Sequence, residues 1–257
     1  MNRMLWTIAR FTLLDLIRSR WLWLCFFGVL VVGTATAFIT ALAITERQEV
    51  TLNVIAPFSR LACIAIVALL GAVTMVRDFD DRSILINLAA PVSRLQWLIG
   101  KWLGLAIVAS ATACAFSLPI LVLQANFASF MWSISLVIEA ILMCALVIAA
   151  AITFKQVPAT LFAVASFYVA ARLIGLIKML NDRAPLENAA AQWFNGHMID
   201  VLALALPRLD KFTATTWLFE TTALSMNEIG FVTAQALLYC SIALIAASVD
   251  LVRRDIA

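Results

Sequence analysis

Arg77-Asp78-Phe79-Asp80-Asp81-Arg82-Ser83, followed by Pro91-Val92-Ser93-Arg94 and Gly100-Lys101, forms a compact charged segment between two long apolar runs. An apolar run of about twenty residues can cross a bilayer core, whereas this segment carries seven charges between 77 and 101 and cannot. It therefore sits at a membrane surface and faces something in the water. The chain on either side reads accordingly. Of its 257 residues 64% are hydrophobic and 13% charged, with mean hydropathy +1.02, against roughly 25% charge in soluble domains. The composition predicts an all-α, multi-spanning membrane protein. A formal net charge of +3 with dispersed basic residues gives no footprint for nucleic acid.

Six spans are expected near 21–45, 55–77, 95–124, 131–153, 158–180 and 229–251, within a single permease-sized domain covering 1–257. Residues 3–20 alternate apolar positions (Leu5, Trp6, Ile8, Ala9, Leu13, Leu16, Ile17) with Arg3, Thr7, Arg10 and Arg18, the pattern of a helix lying in the membrane interface. No small-residue cleavage site follows it, so the segment reads as retained. Trp21 and Trp23 mark the boundary where the chain enters the bilayer.

Six spans put both ends of the chain on one side. Of the 18 basic residues, eleven (Arg3, Arg10, Arg18, Arg20, Arg77, Arg82, Arg94, Lys101, Lys155, Arg253, Arg254) fall on that side and seven lie opposite or within spans. The positive-inside rule then makes both termini and the 77–101 segment cytoplasmic, in an inner (plasma) membrane. Within the segment, Ser83 can start a short helix that Pro91 stops, and Ser93 with Gln96 has the spacing of a capping box that opens the third span. The loop 181–228 falls outside. Its apolar stretches 185–194 and 198–206, bounded by Asn195-Gly196 and Pro207, predict two short helices resting on or dipping into the outer leaflet.

Glu139 and Arg172 each lie about eight residues from the outer end of a span, hence roughly 12 Å deep at 1.5 Å per residue. They either pair or both face a translocation path; otherwise Arg172 snorkels outward and Glu139 is protonated or faces another helix. If they pair, exchanging them retains function, and loss as severe as in either single mutant counts against the pair. The cysteines (Cys25, Cys63, Cys114, Cys144, Cys240) all fall in apolar runs without C-x-x-C spacing, which predicts packing rather than disulfides or metal. The single histidine, His197, has no companion ligands in sequence, and Met179, Met198 and Met226 are dispersed. No metal or catalytic site is expected. HExxH, Gly-x-Ser-x-Gly and paired intramembrane aspartates are all lacking from the sequence, which speaks against a membrane enzyme.

These features together resemble a permease subunit of the type-2 ABC exporter family, and more closely the permeases labelled multi-copper enzyme maturation components. Such permeases open with an interfacial helix ending in Arg-Ser-Arg-Trp, here Arg18-Ser19-Arg20-Trp21. After the second span they carry an acid followed by Gly-Thr-Leu, then Pro-x-Ser-Arg and Leu-x-Gly-Lys. Here these positions are Asp80, then Ser83 in the Thr place, Pro91-Val92-Ser93-Arg94 and Leu98-Ile99-Gly100-Lys101, with Arg82 where the family has glycine. Leu206-Pro207-Arg208-Leu209-Asp210-Lys211-Phe212 is similar to a further Pro-x-Leu-x-x-Phe pattern of the same permeases.

The resemblance implies that residues 80–92 form a coupling helix seated in a separate ABC ATPase subunit. Asp78, Asp80, Asp81, Arg82, Ser83, Pro91, Ser93 and Arg94 would carry the contact. It also implies a second permease subunit, identical or related, in addition to the surrounding membrane lipid. The chain has no G-x-x-x-x-G-K-[ST], so ATP and Mg are expected in the partner and no cofactor in this chain. A non-transporting membrane anchor or mechanical element driven by an ATPase would share the same coupling helix and is the alternative reading.

Overall fold

A computed structural model of the protein describes residues 2–18, 21–42, 47–80, 93–183, 189–219 and 226–253. Among them are eight α-helices and two 3-10 turns, and no strand: α1 (Asn2–Arg18), α2 (Trp21–Leu42), α3 (Arg47–Asp80), α4 (Arg94–Leu123), α5 (Phe127–Phe154), α6 (Val157–Arg183), α7 (Ala189–Ala205), the turns Leu209–Lys211 and Thr215–Leu218, and α8 (Met226–Arg253). Six of the helices, α2 to α6 and α8, are long and apolar enough to cross a membrane. The chain is a multi-pass membrane protein.

Helix α5 is the centre of the bundle and packs against α3, α4, α6 and α8. Small residues make this possible. Ala140, Cys144, Ala145 and Ala151 are buried along it beside Leu136, Leu142, Val147 and Ile148, so neighbouring helices approach closely. Its ends are set by local chemistry. Asn126 Oδ1 accepts the Ser129 N–H at 2.8 Å, and Lys155 closes the other end in the left-handed region (φ 54°), its N–H donating to Ala151 O. Helix α2 is the opposite case: it buries only Val32 and Thr36 well and presents Trp23, Phe26, Phe27 and Phe38 outward, as an edge span facing lipid does.

Proline lies inside two of the spans, Pro57 in α3 and Pro119 in α4. Pro119 interrupts the hydrogen-bond ladder of α4, and in that turn the buried Ser59 hydroxyl of α3 donates to Phe116 O. Helix α1 lies on α4 and buries Ala9, Thr12 and Leu16, spaced three and four apart. Gly104 of α4 permits this contact, since a Cβ there would stand 2.8 Å from Thr12 Cβ and 3.0 Å from Ala9 O. The face of α1 holding Trp6 and Phe11 stays exposed.

Two expectations change at the segment 181–228. The two short helices expected at 185–194 and 198–206 are instead one, α7, which runs unbroken through Asn195-Gly196. A glycine within a helix costs about 1 kcal/mol relative to alanine, too little to interrupt a helix with good formers on both sides. The stretch after Pro207 is not a surface loop either. Leu209, Phe212, Thr213, Trp217 and Leu218 are all buried, so residues 209–218 plug the end of the bundle where α3 and α5 begin and α6 ends.

Candidate functional site

The plug is held by buried polar side chains from three spans. Thr213, fully buried, is the meeting point. Its hydroxyl donates to Glu139 Oε2 at 2.7 Å, its N–H donates to Ser135 Oγ at 3.0 Å, and its carbonyl accepts from Arg60 Nη1 at 3.2 Å and Trp132 Nε1 at 3.1 Å. The backbone at Thr213 has φ 46°, the left-handed region that β-branched residues rarely enter. Such strain, of order 1–3 kcal/mol, persists only where surrounding contacts fix it. Here four hydrogen bonds fix it.

Glu139, with no exposed surface, also accepts from the Tyr168 hydroxyl at 3.0 Å and lies 3.6 Å from Arg172 Nη1. Arg172 in turn donates to the carbonyls of Phe212, at 2.9 Å, and Leu209. The structure thus brings Glu139 and Arg172 together, but not as an isolated pair. It adds Arg60 and Tyr168, and it turns Arg172 Nη1 toward two plug carbonyls as well as toward Glu139. Non-helical backbone at membrane depth is tolerated only where protein satisfies it, and the two guanidinium groups supply that satisfaction.

Depth agrees across the three helices. Arg60 is 12 residues past Gln48, Glu139 12 past Phe127 and Arg172 9 before Asn181. At 1.5 Å per residue all three stand roughly 14–18 Å from the helix ends on the plug side. Two cations face one anion there, and the Nε of Arg60, a residue only 8% exposed, has no hydrogen-bond partner among the described residues. Beside the plug, Asp210 is seated against α6 at Gly175, where a Cβ would strike its carboxylate. Farther out, Lys178 of α6 holds Asp200 of α7 at 2.8 Å, and this hydrogen bond keeps the Asp200 carboxyl below its usual range.

At the other end of the bundle the charged segment divides. Residues 81–92, with Asp81, Arg82, Ser83 and Pro91 and nearly all of the expected coupling helix, lie outside the described residues. Asp80 is the last residue of α3. The flanks are described and anchored. Asp78 forms an ion pair with Lys101 of α4 at 2.6 Å, both side chains largely buried. Arg94 Nη1 donates to Leu251 O, a terminal carbonyl of α8, at 2.7 Å, and Lys155 stands over the Phe79 ring, 5.9 Å from its centre.

Ser93 caps α4: its hydroxyl accepts the Gln96 N–H while the Gln96 side chain accepts the Ser93 N–H, each at 3.2 Å. Asp78 and Arg94 thus hold contacts within the chain. Comparison with protein-family models and with curated proteins gives no match for this chain.

The residues that sequence reasoning missed are Arg60, Tyr168 and Thr213. Arg60 carried a usable signal, a lone cation within an apolar run. Thr213 carried none, because nothing in its neighbourhood distinguishes it from a surface loop threonine.

Proposed function

We propose that this chain is the permease subunit of an ATP-driven transporter of the type-2 ABC exporter kind, coupled to a separate ATPase through the segment 77–101. The supporting observation is the anchoring of that segment at both ends. The Asp78–Lys101 pair ties the end of α3 to α4, and the Arg94–Leu251 hydrogen bond ties the start of α4 to α8. A push delivered between these anchors moves three spans together, because packed helices shift as rigid bodies. The capping box at Ser93 gives the corner a fixed helix start instead of a frayed one.

In this reading both termini and the segment are cytoplasmic and the plug faces outward. Helix α1 lies in the inner-leaflet interface on α4, and residues 80–92 form a helix in a groove of the ATPase. Asp80, Asp81 and Arg82 supply directional, charge-assisted contacts to it. A second permease copy or relative completes the path, and ATP with Mg binds only in the ATPase. Alternation between inward and outward shapes would move the plug relative to α5, where Glu139 and Thr213 meet.

Reversing Asp80 and Asp81 to lysine is expected to abolish ATP hydrolysis co-purifying with the full chain, while the amount of chain in the membrane stays unchanged. Undiminished ATPase recovery with the reversed chain would remove the coupling role. Stimulation of that ATPase by a transported compound in liposomes separates a transporter from a mechanical element, which would show none.

A further inference from the structure

Between the plug and the first turns of α8 lies a cavity of about 380 Å³. Its floor is apolar, since Trp217 of the second 3-10 turn and Val232 of α8 line it and are buried. Its rim is charged. Lys211, ending the first 3-10 turn, and Glu228, near the start of α8, also line the cavity and are exposed, with Asp210 half-buried beside Lys211. Glu228 is the first residue of the α8 stretch long and apolar enough to cross a membrane, and Val232 lies four residues on, about 6 Å at 1.5 Å per residue. The cavity is therefore shallow, near the plug-side end of that span, and its rim is within reach of water.

We infer that this cavity binds a small zwitterion with an apolar body, the chemistry of an apolar α-amino acid, its ammonium on the Glu228–Asp210 side, its carboxylate on Lys211 and its side chain on the Trp217 floor. Three observations carry the choice of occupant. Lys211 and Glu228 line one cavity with opposite charges, yet among the described residues neither is in an ion pair, and the Lys211 ammonium stands 5.1 Å from the centre of the Phe231 ring instead. A ring holds an exposed ammonium weakly, so Lys211 turns to a ligand carboxylate at little cost.

The acidic side is short of donors. Asp210 Oδ2 meets Arg208 Nη2 at 3.3 Å, but Oδ1 is buried with no hydrogen-bond partner among the described residues. An ammonium, with three N–H groups, is the complement of that side. A simple cation would meet Lys211 and a simple anion would meet two carboxylates, so a ligand carrying both charges is the one attracted at each end. The third observation is the apolar floor, in a volume within the roughly 300–1,000 Å³ of small-molecule sites. This site goes beyond the transport proposal and stands without it.

The test is calorimetric titration of the purified full chain in detergent, with no ATPase present, using phenylalanine, phenethylamine and hydrocinnamate: one apolar body with both charges, the ammonium alone or the carboxylate alone. Phenylalanine is expected to bind about fivefold more tightly than either of the others, the upper worth of an exposed charge contact. Glu228→Gln is expected to weaken phenylalanine about fivefold and leave hydrocinnamate no weaker, and Lys211→Gln to weaken phenylalanine equally and leave phenethylamine no weaker. Both positions are exposed, so neither replacement should disturb folding. Absence of heat with phenylalanine, equal binding of either single-charge compound, or phenylalanine binding unchanged in either variant would overturn the inference.

Discussion

Replacing Glu139 by alanine is expected to destabilise the protein by about 3–5 kcal/mol, because removing one partner of a buried ion cluster leaves the other charges uncompensated. Few single changes in the bundle should cost as much. Among the described residues Glu139 is the carboxylate that faces the guanidinium groups of Arg60 and Arg172, and it also accepts from Tyr168 and Thr213. The measurement is the midpoint of denaturant unfolding of the purified full chain. Glu139→Gln keeps the shape and one acceptor and should fall between the two.

The exchange Glu139→Arg with Arg172→Glu discriminates further. For an isolated pair it restores stability. Here it should be at least as damaging as either single change, because a carboxylate at 172 would face the carbonyls of Leu209 and Phe212, which accept hydrogen bonds and donate none. Recovery of stability in the exchanged protein would show that the plug carbonyls do not depend on Arg172.

The second large effect is expected at Thr213. Thr213→Val preserves volume and branching but removes the hydroxyl that donates to Glu139 Oε2, leaving a buried carboxylate oxygen short of a donor at about 1–3 kcal/mol. It also keeps a β-branched residue at φ 46°. Thr213→Ser retains the donor and relaxes the branching strain, so it should remain close to the unaltered protein or slightly above it. The same unfolding midpoint ranks the three. If Val and Ser behave alike, the hydroxyl is not what holds the plug in the bundle.

The membrane architecture was legible in sequence because apolar runs of span length admit few other structures in a bilayer. Local signals at α4 were equally readable: Ser93 and Gln96 have capping-box spacing and form that box. Glu139 and Arg172 stood out as intramembrane charges of similar depth, and they lie 3.6 Å apart. What escaped was everything that depends on contact across long stretches of chain. Thr213 meets Glu139 across 74 residues and Arg60 across 153, and no local pattern encodes such a meeting.

Span counting alone leaves the plug within the outer loop 181–228, because its residues belong to no apolar run of span length. It is buried instead because Arg60, Trp132, Ser135 and Arg172 satisfy its backbone from inside the bundle. Asn195-Gly196 is a strong turn signal in isolation and predicts a break that α7 does not have. The propensity of the residues around it outweighs that signal.

The coupling proposal requires the 77–101 segment to share a compartment with ATP and the plug to face the other. In a cysteine-free background, Ser83→Cys places a single thiol in the 77–101 segment and Asn126→Cys one at the N-cap of α5, and labelling by a membrane-impermeant maleimide in intact cells and in inverted vesicles reports their sides. The permease reading predicts that Cys at 83 reacts only in inverted vesicles and Cys at 126 only in intact cells. Labelling at position 83 from the outside of intact cells would contradict it.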